Sequence, residues 1–190
     1  MQRKILYIIA GANGSGKTTF AMSFSELENI KFINADEIAK KYDPKDIQKY
    51  KIRAGKEFFK ELAFSLNSDD SFIIETTLSG KYLIKVIQEA KKKGFEVSLF
   101  YLFLGTENEN IYRVQNRVLN GGHSVPVEDI VRRYHRSRSL FYNTYKDLVD
   151  NWMVFFNGDD KFELIATNKD IIDELMFQTL LKGVNSDWIG

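Results

Sequence analysis

Gly11-Ala12-Asn13-Gly14-Ser15-Gly16-Lys17-Thr18 is the stretch on which the reading of this chain turns. It satisfies G-x-x-x-x-G-K-[ST] in full, directly after the apolar run Ile5-Leu6-Tyr7-Ile8-Ile9-Ala10 and directly before a helical pattern. Strand, glycine-rich turn and helix in that order are the context a phosphate-binding loop requires. Glycines let the backbone turn tightly, so that successive N–H groups and the start of the next helix converge on a phosphate. Lys17 then reaches the β- and γ-phosphates of a nucleotide, and Thr18 ligates magnesium. The nucleotide-binding set expected here is Gly11, Asn13, Gly14, Ser15, Gly16, Lys17, Thr18 and Thr19.

Outward from this loop, short β-branched or aromatic runs alternate with longer helical patterns. The pattern predicts strands near 4–10, 31–34, 71–75, 95–103 and 151–156, and helices near 17–28, 45–67, 79–93, 107–120, 126–149 and 169–182. Repeated βα units imply a parallel sheet. The expected fold is therefore α/β: a P-loop NTPase three-layer sandwich with a parallel central sheet and a helical lid, as one domain over residues 1–190. Pro44 and Pro126, the only prolines, both stand where a helix can begin. Arg3 and Lys4 before the first apolar run imitate a signal peptide, but that run is short and reads instead as a buried parallel strand.

Composition narrows the field. A chain of 190 residues with 44% apolar content can fill one sizeable core. Lys and Arg total 27 against 26 Asp and Glu, and a net charge of +1 lacks the broad positive field of a nucleic-acid or anionic-membrane binder. The absence of cysteine excludes disulfides, thiolate nucleophiles and Cys-ligated zinc, and fits a reducing, cytoplasmic setting. No apolar segment is long enough to span a bilayer.

A phosphate loop does not say what receives the phosphate. Thr167-Asn168-Lys169-Asp170 carries Ile171 where a GTPase motif needs Asp, which argues against a switch GTPase. Asp36 follows the second predicted strand, at the carboxyl edge where ligand sites collect in open α/β sheets. There it can accept a hydroxyl proton or hold magnesium through water, and an Asp just before a helix is also a favoured N-cap. Glu75, ending the third strand, is a second candidate for metal or substrate, followed by Thr76 and Thr77. Arg53 lies on the long helix between the two carboxylates, within reach of an anionic substrate or simply in solvent.

The segment Arg113 to Pro126 reads as a helix broken by Gly121-Gly122 and restarted by proline, a flap. Arg113 and Arg117 stand four apart on one helix face, both available to phosphates. In the next helix Ile130, Tyr134, Phe141, Tyr145 and Leu148 form the apolar stripe, with Arg133 at its flank, best placed to enter the cleft. Phosphoryl transfer spreads charge over the γ-oxygens, and an arginine meeting it contributes about 10³ to 10⁵ in rate. The competing reading is that Arg132, Arg133, Arg136 and Arg138 form a solvated or RNA-binding face. His123 in the flap is a candidate phosphate contact, and Asn157-Gly158 falls where related kinases line an adenine pocket, although Asn-Gly is also an ordinary turn.

Together, Gly11 to Thr18, Asn34-Ala35-Asp36-Glu37, Ala54-Gly55-Lys56-Glu57, Ile74 to Gly80 and Arg117 through Gly121-Gly122-His123-Ser124-Val125-Pro126 to Tyr134 resemble the zeta toxin family of P-loop kinases. The resemblance spans most of residues 4–158. It implies that Lys17 and Thr18 hold ATP and magnesium, that Asp36 is the catalytic base, and that Arg117 and Arg133 clamp the phosphates. Family members studied as toxins phosphorylate UDP-N-acetylglucosamine and are neutralised by an antitoxin protein. The expected activity is therefore transfer of the γ-phosphoryl of Mg-ATP to a small-molecule hydroxyl, and the acceptor the resemblance implies is a UDP-N-acetylglucosamine-type sugar nucleotide. The alternatives are a kinase of another metabolite or antibiotic, and an ATP-dependent RNA-associated module.

Overall fold

The computed structural model describes residues 3–44, 46–159, 161–182 and 184. Among them the chain runs β1 (Ile5–Ala10), α1 (Lys17–Glu28), β2 (Lys31–Ile33), α2 (Ala35–Tyr42), α3 (Ile47–Leu66), β3 (Phe72–Thr76), α4 (Tyr82–Lys92), β4 (Glu96–Phe103), α5 (Glu107–Leu119), α6 (Val127–Asn143), a 3-10 turn at Tyr145–Asp147, β5 (Asn151–Phe156), β6 (Glu163–Thr167) and α7 (Glu174–Leu181). The part of the expected 1–190 domain that covers residues 183–190 lies, Val184 apart, outside the described residues.

The strands form one sheet in the order β2-β3-β1-β4-β5-β6. β1 pairs in parallel with β3 on one side and with β4 on the other, so the chain order reverses at β1. A crevice opens outside the carboxyl end of the strand at such a switch point, and the glycine-rich loop follows β1. Both faces are covered, which explains why β1 reads as a continuous apolar run rather than an alternating one. Leu6, Ile8 and Ala10 belong to the larger core, with Phe58 and Leu62 of α3 and Leu83 and Ile87 of α4. Ile9, Ile73, Phe100 and Leu102 face the other way, toward Ala21, Phe20 and Phe24 of α1.

The expected α/β architecture is present, with four differences. β6 was not anticipated; it pairs antiparallel with β5 and closes the sheet on that edge. The helix expected over 169–182 is only α7, because Thr167 to Asp170 forms a turn in which Thr167 Oγ1 accepts from the N–H groups of Lys169 and Asp170. α2 was not assigned as a helix. The helix expected over 126–149 stops at Asn143, where Thr144 leaves helical geometry (φ −138°) and the chain tightens into the 3-10 turn.

Candidate active site

The loop between β1 and α1 is built on three glycines in backbone geometry that side chains rarely adopt: Gly11 at φ +144°, Gly14 at +83° and Gly16 at +87°. Close approach constrains them as well. A Cβ on Gly11 would stand 2.1 Å from the Leu102 carbonyl oxygen, on Gly14 2.7 Å from that of Asn110, and on Gly16 2.3 Å from Asn157 Nδ2. The loop is thus wedged against the ends of β4 and β5 and the start of α5. Two asparagines hold it from beneath: Asn110 Nδ2 donates to the Asn13 carbonyl (2.5 Å) and Asn157 Nδ2 to that of Ser15 (3.1 Å).

Lys17 opens α1, and its ammonium donates to the Ala12 carbonyl at 2.8 Å across the loop. Burial pulls its pKa down, while the nearby Glu75 carboxylate pulls it back up. A buried ammonium held against a loop carbonyl fits an anion in the cradle. Ser15 Oγ and Asn157 Oδ1, buried and without a hydrogen-bond partner among the described residues, lie along the same loop. Thr19 stands exposed one position beyond Thr18.

Glu75, one register step beyond the Ile33–Ile74 pair of β2 and β3, is half-buried at the crevice edge. Its Oε2 accepts from Thr18 Oγ1 (2.9 Å) and Asn34 Nδ2 (2.5 Å). Desolvation raises its pKa; Lys17 and the two hydrogen bonds oppose that rise. A hydroxyl and a carboxylate in contact beside a phosphate cradle form an oxygen donor set that suits a hard divalent cation sharing phosphate oxygens. The described residues contain no group of three or more His, Cys, Asp or Glu able to hold a metal by themselves.

Asp36 is not the N-cap considered for it. Asn34 caps α2, accepting from the N–H groups of Asp36 and Glu37, which leaves the Asp36 carboxylate half exposed and turned into the crevice. There it meets the flap: His123 Nε2 lies 3.5 Å from Asp36 Oδ2. Arg117 Nη2 donates to the His123 carbonyl (3.0 Å) and lies 3.4 Å from His123 Nε2. Gly122 permits this fold-back, since a Cβ there would stand 2.5 Å from Arg117 Cγ. Arg133 on α6 reaches the phosphate loop, with Nη1 on Asn13 Oδ1 (3.1 Å) and Nη2 on Asp129 (3.3 Å).

These groups border a cavity of about 790 Å³ whose wall includes Asn13, Asp36, Lys51, His123, Arg132 and Arg133. A second of about 460 Å³, on the other side of the Asp36–His123 contact, is bordered by Thr18, Lys40 and Arg117.

Other expected residues stand elsewhere. Arg53 packs its guanidinium 4.3 Å over the Tyr42 ring; Gln48, Lys51 and Gly55, one face of α3, line the cavity instead. Thr76 is buried and accepts from Leu78 N (3.1 Å), while Thr77 borders the cavity. Arg113 donates to the Gly158 carbonyl rather than toward phosphates. Asn157 spends its amide on the loop backbone. The four arginines do not share one solvated face: Arg138 is 1% exposed, while Arg132 stays exposed and shares Asp129 with Arg133. Sequence reasoning missed Asn34, Asn110 and Lys51. The i, i+3/i+4, i+7/i+8 spacing of Ile47, Lys51 and Gly55 was the available signal for the last, and only the register of β2 against β3 reveals Asn34.

Comparison with known proteins agrees with this geometry. The profile of the family described as zeta toxin matches residues 1–170. An uncharacterized protein of Haemophilus influenzae is 35% identical over 132 residues, which are 70% of this chain and 92% of that one. Among solved structures, that of the PezAT chromosomal toxin-antitoxin system of Streptococcus pneumoniae aligns over 97% of this chain and 79% of its own, with TM-score 0.66 and 20% identity. The AvrRxo1-ORF1:AvrRxo1-ORF2 complex with sulphate ions aligns with TM-score 0.75 and 15% identity, over 97% of this chain and 65% of that one. The chain therefore spans about two thirds of the AvrRxo1 chain it matches. At these identities the structural likeness establishes the fold.

Proposed function

The chain belongs to the zeta toxin family, and from that premise we propose that it is an ATP-dependent kinase transferring the γ-phosphoryl group to a hydroxyl of a small molecule. The observation that carries the proposal is a shared wall: Asp36, Arg133 and Asn13 of the phosphate loop border one cavity, beside the buried Lys17 ammonium.

In this reading the loop amides and Lys17 hold the β- and γ-phosphates, and Asp36 accepts the proton of the attacking hydroxyl. Arg133, already bonded to the loop, and Arg117, folded back on the flap, supply positive charge where it develops on the transferring group. Thr18 and Glu75 are the residues that would hold magnesium, which would supply positive charge against the phosphates. The flap carrying His123 excludes water from the crevice, so that the acceptor hydroxyl, rather than water, meets the phosphoryl group.

The acceptor proposed first is UDP-N-acetylglucosamine or a similar sugar nucleotide, on the family premise together with the cationic Lys51 and Arg132 in the cavity wall. Other metabolites or antibiotics with a free hydroxyl are the second choice. A cytoplasmic setting and an antitoxin-like protein partner belong to the same proposal. No helix among the described residues is long and apolar enough to cross a membrane.

The test is transfer of labelled γ-phosphate from Mg-ATP to an acceptor panel headed by UDP-N-acetylglucosamine, with Asp36→Asn and Lys17→Ala in parallel. Transfer that falls by at least about 10²-fold in both variants is expected. An unmodified protein that binds ATP and labels nothing would remove the kinase assignment, and labelling undiminished in Asp36→Asn would remove the base.

A further inference from the structure

We infer that Asn34 is a positioning residue that fixes the candidate base Asp36 and the candidate magnesium carboxylate Glu75 relative to each other through one buried side chain. The inference rests on the kinase reading for the roles of those two acids, but its geometry is independent of that reading. Asn34 is 6% exposed and follows the last residue of β2. Because Ile33 is in register with Ile74 on the neighbouring parallel strand, the next residues, Asn34 and Glu75, emerge side by side at the carboxyl edge of the sheet.

Both ends of the Asn34 amide are used. Oδ1 accepts from Asp36 N (2.7 Å) and Glu37 N (3.1 Å), the two N–H groups that begin α2. Nδ2 donates to Glu75 Oε2 (2.5 Å), the same oxygen that accepts from Thr18 Oγ1 (2.9 Å). The orientation of the amide is unambiguous, since backbone N–H groups need an oxygen and a carboxylate needs a donor. An Asp here would cap the helix but present a second carboxylate to Glu75, and a Ser would cap it but fall short of Glu75. Asparagine alone among good N-cap residues both accepts from the helix and donates to the acid. The position of Asp36 is thereby tied to the orientation of Glu75, so that the base and the metal carboxylate move as one unit.

The two halves of the side chain can be separated experimentally. Asn34→Ser keeps a cap and loses the bond to Glu75; Asn34→Ala loses both. Each is made in the full chain, alone and combined with Glu75→Gln. Binding of a fluorescent ATP analogue is measured with Mg²⁺ and with EDTA, alongside melting temperature and phosphoryl transfer.

In Asn34→Ser the expected result is an unchanged melting temperature, unchanged affinity in EDTA, and about a 10-fold loss of the magnesium-dependent gain in nucleotide affinity. Glu75→Gln should show the same loss, and adding Asn34→Ser to it should cost nothing more. Asn34→Ala should share the magnesium loss, melt roughly 2–4 °C lower for the missing cap, and turn over about 10-fold more slowly than Asn34→Ser at the same KM. Wild-type magnesium dependence in Asn34→Ser, or losses that multiply with Glu75→Gln, would overturn the inference. If the unmodified protein transfers no phosphate while the magnesium pattern holds, the kinase reading fails and the link between Asn34 and Glu75 is supported.

Discussion

His123 brings the flap to the catalytic edge, and its ring nitrogen has two suitors. Nε2 lies 3.5 Å from an Asp36 oxygen, which needs an N–H, and 3.4 Å from Arg117 Nη2, which needs a lone pair. One nitrogen serves one of them at a time. Burial pulls the His123 pKa below its ordinary value; Asp36 opposes the shift, and Arg117, Lys40 and Lys51 add to it. A depressed folded value means that the stability linked to neutral His123 is complete above the ordinary pKa and is lost as pH falls through the folded one. As pH drops from about 7.5 to about 5, the wild type should therefore lose melting temperature relative to His123→Asn, whose side chain does not titrate. Differential scanning fluorimetry across that window checks this, and a constant difference between the two proteins refutes it. At this scale the phosphate loop was legible because its glycine requirements are local. Arg53 and Lys51 were not distinguishable, since two positions on one helix point to opposite sides and only the packing of α3 selects which side faces the crevice.

At the scale of elements, the lid helix α6 is held by a residue that reads as surface charge. Arg138 sends Nη1 to the carbonyls of Thr179 (2.8 Å) and Leu180 (3.0 Å) in the last turn of α7, and Nη2 to that of Leu104 (2.5 Å) after β4. It thus caps α7 with a cation at its negative end and ties α6 to the sheet edge, where Tyr134 adds a hydrogen bond to Gly105 (2.9 Å). Arg133, on the same helix, meets Asn13 only because α6 is fixed there. Arg138→Met should cost about 3 kcal/mol, since three buried carbonyls lose a charged donor. That corresponds to a melting temperature roughly 6–12 °C lower. Calorimetry measures it, and a loss under about 1 kcal/mol would show that α6 is held by its apolar stripe instead. Most helices were readable from the length of their patterns, and the structure adds the capping box of Thr106 and Glu109 that starts α5. β6 was missed because Asn157-Gly158 was weighed as a ligand contact, although a turn pair between two short apolar runs is also a hairpin signal.

For the whole molecule, a cradle that buries a lysine ammonium against a loop carbonyl should be stabilised when an anion binds it. Mg-ATP at about 100 times its dissociation constant adds about 2.7 kcal/mol to the folded state. The expected rise in melting temperature is roughly 5–11 °C, absent in Lys17→Ala. No shift in the wild type would contradict nucleotide binding at this loop.

The sequence by itself determined the phosphate loop, the βα alternation, the two carboxylates at strand ends and the glycine-broken flap, because each depends on backbone geometry and side-chain spacing within a few residues. Only the tertiary structure decided which of the candidates meet. Asn34 reaches Glu75 across 41 residues, Arg133 reaches Asn13 across 120 and Asn157 reaches Ser15 across 142. Those meetings are set by strand register and helix packing, and the spacing of residues along the chain does not encode them.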